Sequence, residues 1–326
     1  MSNLNEPPGR IDAIVADVSM LTADIKGIQL AAADGAMLPP AEPGAHIDLW
    51  LPDGNVRQYS VLERAENGSA YRIAVLREPA SRGGSAYVVD QLGKDQRVQL
   101  SGPRNNFALG ERHGETILIA GGIGITPILP MAMRLALADK KFAFHYLGRA
   151  RQRTALLDVI EASALKDIVK IHFSDEHGEA DLRTLIGAPR PGAHVYVCGP
   201  GKLIDGVLAA GSDWPPGAIH FERFSAQAPI TASEPSTSVS FEVELAQSGK
   251  VITVMPDQSI MQALRQERVR IDSVCREGIC GTCAVSLLAG VADHRDMIQT
   301  DAEKKQNTVI YVCVSRARSA RLVLDL

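Results

Sequence analysis

The stretch VCREGICGTCAV, residues 274–285, holds three of the five cysteines in this 326-residue chain. These are Cys275, Cys280 and Cys283, and a fourth, Cys313, follows downstream in YVCVS. Four residues separate the first two cysteines and two separate the next pair, a spacing typical of plant-type 2Fe–2S sites, in which four thiolates hold two irons. The spacing therefore predicts that the C-terminal part of the chain folds around a 2Fe–2S cluster.

The glycines of this loop support the same interpretation. Gly278 and Gly281 let the backbone fold back, so that its N–H groups point at the sulfurs and stabilise the negative charge of a cluster. A structural zinc site is an alternative, although such sites usually come as two short C-x2-C pairs. Four buried cysteines without any metal are the third interpretation.

Composition indicates a multidomain chain. A length of 326 residues exceeds the roughly 150 residues typical of one domain, so two or three domains are expected. The net charge of −4 and the lack of charge tracts or long apolar runs argue against a nucleic-acid partner or a membrane span. The N-terminus MSNLNEPPGR does not resemble a signal peptide, so we expect a reducing cytoplasm, where clustered cysteines favour metal over disulfides.

The pattern of strands and turns changes twice along the chain. Residues 10–108 contain short apolar or alternating runs bounded by turn signals, namely HIDLWL, RQYSVL, YRIAVLRE and RVQLSGP, which predict a small antiparallel barrel or sandwich. From Glu115, buried-type strands such as TILIAGG and HVYVCGP alternate with helical stretches, which predicts a parallel sheet. Residues 225–238, rich in Ser, Thr, Ala and Pro, are typical of a linker.

A glycine-rich turn follows the first strand of the predicted parallel sheet. In ILIAGGIGITPI, residues 117–128, Gly121, Gly122 and Gly124 allow close approach of phosphate before a helix that should begin near Thr126. A tight turn of purely structural purpose would look similar. The segment VCGP, residues 197–200, ends a later strand of the same sheet, where ligands of such sheets bind.

Two further segments, in the barrel region, offer groups for an anionic, flat ligand. RQYS, residues 57–60, places an arginine, an aromatic and a hydroxyl on one strand, and SRGGS, residues 81–85, offers backbone N–H groups in the form of an anion nest. Each is unspecific alone, because Tyr59 could belong to the core and a Gly-Gly pair is often only a turn.

Taken together, the motifs RQYS, SRGGS, GGIGITPI, VCGP, HFERF, CREGICGTC and ADHRDM…VCVSRARSARLVLDL resemble the phthalate dioxygenase reductase family over nearly the whole chain. These are the FMN- and 2Fe–2S-containing reductases of Rieske-type oxygenases, within the ferredoxin-NADP reductase superfamily. The resemblance implies a multidomain α+β chain. We expect an FMN-binding antiparallel β-barrel (1–108), a Rossmann-like parallel α/β NAD domain (109–225), a linker (226–238) and a plant-type 2Fe–2S ferredoxin domain of β-grasp fold (239–326).

The resemblance also implies the site residues. FMN would be held by residues of the barrel, the nucleotide domain and the segment after it: Arg57, Tyr59, Ser60, Ala74, Val75, Leu76, Arg82, Gly83, Gly84, Ser85, Thr126 and Phe224. NADH would lie against Gly121, Gly122, Gly124, Cys198, Gly199 and Pro200. Ser60, Thr126 and Cys198 would take part directly in catalysis, and the four cysteines of the loop and of YVCVS would ligate the cluster.

The choice between NADH and NADPH depends on charges after the second strand of the parallel sheet. Arg149 and Arg151 follow FAFHYLG, and taken generically they favour the 2′-phosphate of NADPH. The resemblance favours NADH, and Asp175 after the next strand could meet an adenosine ribose. We therefore expect NADH.

Three other residues invite competing interpretations. His172 and His177 in HFSDEH have the spacing of some mononuclear iron sites, but His172 lies in a strand and His177 in the following turn, so ligation is not expected. Cys198 is either a small buried residue or part of the nicotinamide pocket, and a covalent role is not expected. His294 matches the family pattern, with no role beyond packing or a turn bond.

Two functional classes follow. The first is a monomeric electron-transfer enzyme that takes hydride from NADH onto FMN and passes single electrons through its cluster to a Rieske-type oxygenase of the aromatic-ring dioxygenase or demethylase class. The second is a self-contained flavin-dependent NAD(P)H reductase of a small molecule or of another redox protein. A cluster on a tethered domain favours the first class, because such a cluster needs an external acceptor.

Overall fold

The structure is a computed structural model that describes residues 9–52, 54–79, 83–110, 114–224 and 239–326. It divides into two compact units, the first ending at Glu222 and the second beginning at Arg223. The predicted linker 226–238 and Arg82 lie outside the described residues. The proposed domain boundaries, including the division at 108/109, stay predictions.

The N-terminal part of the first unit is an antiparallel barrel, as predicted. Its strands are β1 (Ile11–Met20), β2 (Ile25–Ala32), β3 (His46–Trp50), β4 (Val56–Ser60), β5 (Glu63–Arg64), β6 (Ala70–Leu76) and β7 (Arg97–Leu100). Helix α1 (Gly84–Asp90) follows β6. The described strands are ordered β4-β3-β7-β1-β2-β6-β5, and inward apolar side chains such as Ile28, Leu49 and Ile73 form the barrel core.

The second part of the first unit is a parallel sheet flanked by helices. Its strands are β8 (Glu115–Gly121), β9 (Phe142–Gly148), β10 (Val169–Phe173), β11 (Ala193–Cys198) and β12 (Ile219–Glu222). Its helices are α2 (Ile125–Leu137), α3 (Leu157–Glu161), α4 (Ser174–His177), α5 (Leu182–Ile186) and α6 (Gly201–Ala210). His177 thus ends a short helix, and the expected turn at this position is wrong.

The parallel sheet has the Rossmann-like arrangement that the alternation of strands and helices predicts. Its order is β10-β9-β8-β11-β12, so the chain leaves β8 toward one edge and later returns to β8's other side. Because side chains alternate along a strand, Leu118 packs with α2 on one face while Ile117 and Ile119 pack with α6 on the other. Ligands of such sheets bind where the strand order reverses, here at the carboxyl ends of β8 and β11.

The barrel and the parallel sheet share one hydrophobic core. Ile25 and Ala74 of the barrel belong to the same buried cluster as Leu118 and Ile128. Polar contacts add to this packing, since the Arg153 guanidinium donates to Asp24 at 2.7 Å across the two parts. The shared core holds the ends of β4 and β6 near the carboxyl ends of the parallel strands.

The second unit has the predicted β-grasp fold. Its strands are β13 (Phe241–Leu245), β14 (Val251–Val254), β15 (Ala284–Ala289), β16 (Ala292–Asp293), β17 (Val309–Tyr311), β18 (Arg316–Ala317) and β19 (Arg321–Leu324). Its helices are α7 (Ile260–Gln266) and α8 (Asp301–Gln306). The mixed sheet is ordered β14-β13-β19-β15-β17, and α7, which begins at a Ser259–Gln262 capping box, buries Ile260 and Leu264 against it.

Across the described ranges, every helix is too short or too polar to cross a lipid bilayer.

Candidate functional site

The four cysteines of the second unit come together as two pairs. The loop before β15 carries Cys275, Cys280 and Cys283, and Cys313 follows β17, the strand paired with β15. Cys275 and Cys280 are in hydrogen-bonding contact, as are Cys283 and Cys313. Cys275 is half-buried and the other three are buried. The structure therefore assembles the four residues that the spacing singled out.

The pairing fits two irons better than one metal ion. Among the described residues, no three His, Cys, Asp or Glu side chains gather closely enough to hold a single ion. A structural zinc site needs four ligands around one ion, whereas a 2Fe–2S cluster takes two thiolates on each of two irons. The alternative of a zinc site is thus disfavoured by the geometry.

One thiol in each pair is easily deprotonated. The hydrogen bond from Cys275 lowers the pKa of Cys280 to about 5, and the hydrogen bond from Cys283 lowers the pKa of Cys313. The same two hydrogen bonds, together with burial, raise the pKa values of Cys275 and Cys283. Thiolate is the form that binds metal, so metal binding here would displace the shared protons.

Backbone N–H groups point at the sulfurs, as the glycines of the loop predict. The Glu277 N–H donates to Cys275 Sγ at 3.3 Å, and the Gly278 N–H donates to Cys313. Gly278 has φ +70°, and a Cβ there would lie 2.7 Å from Cγ2 of Val314. These donors stabilise negative charge on the sulfurs, so the residues present fit an anionic iron–sulfur cluster.

On the flavin side, the predicted phosphate-binding groups meet in the barrel. The backbone of Gly84 lies directly against the Arg57 side chain, so that a Cβ at Gly84 would overlap the guanidinium. Arg57 also donates to the carbonyl of Val56 at 2.8 Å and to Asn55 Oδ1 at 3.2 Å. Gly83 has φ +98° and begins α1, and α1 contacts both β4 and β6.

The remaining predicted flavin residues surround the same place. Ala74, Val75 and Leu76 end β6, and β6 contacts the Gly122–Gly124 turn. Ser60 ends β4, and its buried Oγ atom has no hydrogen-bond partner within the described chain. Such an orphaned hydroxyl is a fitting partner for a polar ring edge. Thr126 is buried and donates to the Ile123 carbonyl at 3.0 Å.

Two assignments stay predictions for different reasons. Arg82 lies outside the described residues. Phe224 belongs to the second unit and is 42% exposed. The Ser85 hydroxyl, by contrast, accepts the N–H of Glu78 at 3.2 Å and so helps to hold the turn in place.

The predicted nicotinamide side consists of two segments in direct contact. The glycine-rich turn after β8 packs on the segment after β11, where a Cβ at Gly124 would lie 2.6 Å from the backbone nitrogen of Gly199. A Cβ at Gly121 would lie 3.0 Å from Cδ of Pro200. The structure therefore brings Gly121, Gly122 and Gly124 together with Cys198, Gly199 and Pro200 at the reversal of strand order.

The two predicted nucleotide-selecting groups also lie side by side. The Asp175 N–H donates to the Arg149 carbonyl at 3.1 Å, at the carboxyl ends of β10 and β9. Both side chains are exposed, while Arg151 pairs with Glu161 at 3.3 Å. A ribose-binding acid and a phosphate-binding arginine are thus both available at this edge.

Two residues that the sequence did not single out lie next to the predicted catalytic ones. His46 is the register partner of Ser60, and Glu222 is the register partner of Cys198. His46 Nδ1 lies 4.0 Å from Glu222 Oε1, with side-chain exposures of 5% and 15%. No sequence signal marks this pair, since the two residues are distant in the chain and each lies in a strand.

Burial governs the protonation of this group. It lowers the pKa of His46 to about 4 and raises that of Glu222 to about 8. Burial, with the nearby Glu222, also raises the pKa of the Cys198 thiol well above its usual range. Cys198 is therefore a protonated, fully buried side chain and not an activated nucleophile, as expected.

The competing histidines have structural partners. His172 Nε2 lies 2.7 Å from the Gly178 carbonyl, and His177 Nδ1 lies 3.4 Å from the Phe173 carbonyl. His294 Nε2 lies 3.2 Å from Asn307 Oδ1, which fits the expected turn bond. These contacts explain all three residues without a ligand.

Comparisons with known proteins agree with this site. Residues 243–318 match the family model of the 2Fe-2S iron-sulfur cluster binding domain. The chain is 41% identical to vanillate O-demethylase oxidoreductase of Pseudomonas sp. (strain HR199 / DSM 7063), covering 97% of this chain and 100% of that protein. It is 40% identical to phthalate dioxygenase reductase of Burkholderia cepacia, covering 96% of each.

A solved structure extends the likeness to the fold. The structure of phthalate dioxygenase reductase, described as modular for electron transfer from pyridine nucleotides to 2Fe–2S, aligns with a TM-score of 0.70 at 39% identity. The alignment covers 98% of both chains. Barrel, parallel sheet and ferredoxin unit thus recur together, and the chain belongs to the phthalate dioxygenase reductase family of iron–sulfur flavoprotein oxidoreductases, the electron-transfer components of oxygenase systems.

Proposed function

We propose that this chain takes hydride from NADH onto FMN and passes single electrons through its 2Fe–2S cluster to a Rieske-type oxygenase. The observation that carries the proposal is the two-pair arrangement of Cys275, Cys280, Cys283 and Cys313 in a chain that also contains a flavin-type barrel. When bound, FMN accepts two electrons as hydride and returns them one at a time. The cluster unit then provides a one-electron exit.

For FMN, the supporting features are a cationic phosphate site and an orphaned hydroxyl. Arg57 and the Gly83–Ser85 turn lie together and would hold a single phosphate. Arg82, Tyr59, the Ala74–Leu76 backbone, Thr126 and Phe224 complete the proposed site. Ser60 Oγ, buried and without a partner in the described chain, would hydrogen-bond the polar edge of the ring. A compact monophosphate site favours FMN over FAD.

For NADH, the support is the close packing of the two segments at the reversal of strand order. Gly121, Gly122 and Gly124 leave room for the nucleotide backbone, and Cys198, Gly199 and Pro200 form the opposite wall. Buried Cys198 and Ser60 would exclude water from the transfer and orient the two rings, which hydride transfer requires more than acid–base help. Asp175 would bind the adenosine ribose.

For the partner, the support is the names of the relatives. One belongs to vanillate O-demethylase and another to phthalate dioxygenase. We propose an aromatic-ring dioxygenase or demethylase of the Rieske type as the acceptor, and a cytoplasmic monomer that works without nucleic acid or membrane. The half-buried Cys275 is the ligand nearest to solvent and the natural side for electron exit.

The test uses the purified holoprotein and the oxygenase component of a Pseudomonas vanillate O-demethylase as the probe. We expect heat-released flavin to chromatograph as FMN, and NADH oxidation to be slow alone and faster with the oxygenase present. Stopped-flow absorbance should show the flavin bleaching before the cluster. Cluster bleaching first, or FAD at one per chain, would contradict the proposal. Fast reduction of a small aromatic without any oxygenase would indicate the self-contained reductase instead.

A further inference from the structure

Proton balance in the proposed function requires an exit for protons, and the following inference rests on that function. Each NADH delivers a hydride, which is two electrons and one proton. An iron–sulfur cluster accepts electrons only, one at a time. One proton per NADH must therefore leave the flavin site by another route, through side chains of this chain or through water.

Unsatisfied polar atoms gather in one buried place next to the proposed flavin edge. Ser60 Oγ, both ring nitrogens of His46 and Glu222 Oε2 are buried without a hydrogen-bond partner within the described residues. Native proteins pair nearly all such atoms, so a cluster of them indicates a bound ligand, ordered water or a functional role. This cluster lies between the predicted catalytic residues Ser60 and Cys198.

The four groups form a connected sequence. His46 and Ser60 are direct partners on antiparallel strands, which places their Cβ atoms about 5 Å apart on the same face of the sheet. His46 Nδ1 then lies 4.0 Å from Glu222 Oε1, a gap that a small movement or one bridging water closes. Exposure rises from 5% for the His46 side chain to 15% for that of Glu222, so the sequence leads outward.

We propose that Ser60, His46 and Glu222 form the proton exit of the flavin site. Ser60 accepts the proton on Oγ and gives its own hydroxyl proton to one ring nitrogen of His46. His46 gives the proton of its other nitrogen to the Glu222 carboxylate, which releases it to water. Only a proton moves, so no oxidant or reductant is needed at any step.

The surrounding charges set the resting state of the pair. Asp48 and Arg104 face His46 from β3 and the segment after β7, and they neutralise each other through a 2.7 Å ion pair. Cys198 faces Glu222 from β11 and stays a neutral thiol. With a His46 pKa of about 4 and a Glu222 pKa of about 8, the pair is uncharged at neutral pH. Because only the carboxylate accepts a proton, the exit becomes faster as the pH rises through 8.

The main experiment follows proton release directly. The NADH-reduced, FMN-loaded full chain is mixed with ferricyanide in weak buffer containing a pH-indicator dye. In the wild type, we expect one proton per NADH to appear together with reoxidation, at a rate that rises through pH 8. Glu222→Gln and His46→Asn should slow proton appearance by roughly 100-fold, the usual size of a lost proton-transfer group, and remove this pH dependence. The matched control His172→Asn, at the end of β10, should match the wild type.

A second measurement requires no turnover. The infrared difference spectrum of wild type minus Glu222→Gln should contain the carbonyl stretch of a protonated carboxylic acid, which disappears as the pH rises through 8. Unchanged proton release in both variants, or a Glu222 that is already a carboxylate at neutral pH, would overturn the inference. Failure of the wild type to bind flavin or oxidise NADH would instead overturn the proposed function, and the infrared band would still test the pair.

Discussion

Gly124 and Cys198 touch through their backbones, so closely that a Cβ at Gly124 would overlap the carbonyl group of Cys198. Gly124 ends the turn after β8, and Cys198 ends β11, the neighbouring strand. The contact joins the two segments to which the sequence assigned NADH. Any side chain at this point must push them apart.

Gly124→Ala should therefore damage the nucleotide site. Overpacking of this kind usually costs about 1–3 kcal/mol, and part of that cost would appear as displacement of the glycine-rich turn. We expect a lower Tm and a raised KM for NADH. The measurement is steady-state NADH oxidation with ferricyanide, together with thermal unfolding. Gly93→Ala is the control, since a Cβ there meets nothing within 4 Å. Equal KM values for the two variants would argue against this contact as part of the site.

Replacing Cys280 by Ser should remove or destabilise the cluster, because a hydroxyl is a poor substitute for a thiolate toward iron. Iron and sulfide content should fall, while flavin reduction by NADH stays nearly unchanged. Cys198→Ser, which alters the cysteine outside the two pairs, should keep its iron. Loss of flavin reduction in the Cys280 variant would mean that the cluster forms part of the flavin site.

The cluster ligands could be predicted from sequence because Cys275, Cys280 and Cys283 lie within one loop, where spacing alone constrains geometry. The flavin and nucleotide turns are also local, although each motif was unspecific alone. His46 and Glu222 could not be predicted, since their burial and proximity arise only when β3 of the barrel packs beside β12. Strands β1 and β2 were not singled out either, because β1 has mixed burial and polar residues such as Asp17 along its length.

Stability should fall between pH 6.5 and 8 because of Glu222. This carboxyl has a pKa of about 8 in the folded chain and 4.5 as an ordinary group, so the folded state loses stability as the pH rises through that window. His46, with a pKa lowered from 6.5 to about 4, acts in the opposite direction but only below pH 6.5. One proton accounts for at most about 1.4 kcal/mol per pH unit.

The measurement is thermal unfolding of the FMN-loaded chain from pH 6.5 to 8. The wild type should lose Tm across this range, and Glu222→Gln should show a flatter profile because it has no carboxyl to titrate. Glu176→Gln, which changes an exposed acid beside His177, should keep the wild-type slope. Parallel profiles for wild type and Glu222→Gln would mean that Glu222 is ionised in the folded protein.

Nucleotide preference should depend on Asp175. Replacing it by Ser removes a charged acceptor for the ribose, a loss of about 1.5 kcal/mol that raises the KM for NADH roughly tenfold. Arg149, held beside it by the backbone hydrogen bond, would then improve the relative use of NADPH. The KM values for both nucleotides are the measurement, and Asp158→Ser in α3 is the control. A KM for NADH that does not change would remove Asp175 from the site.

The boundary between the two units gives the broadest prediction. The core of the second unit consists only of its own residues, from Phe241 to Leu324, and the core of the first unit likewise contains none from the second. A chain that ends at Thr231 should therefore fold, bind FMN, oxidise NADH and reduce ferricyanide, which takes electrons directly from flavin. It should fail to support the oxygenase, because the one-electron exit is absent.

The complementary piece, about residues 236–326, should fold alone around its cluster. Its roughly 90 residues suffice for a small core, and four thiolate–iron bonds add to its stability. Absorbance of the cluster and cooperative thermal unfolding measure this. If the shortened chain still drove oxygenase turnover, electrons would leave from the flavin and not from the cluster. If it lost FMN altogether, residues such as Phe224 would need the second unit behind them, and the flavin site would extend across the boundary drawn here.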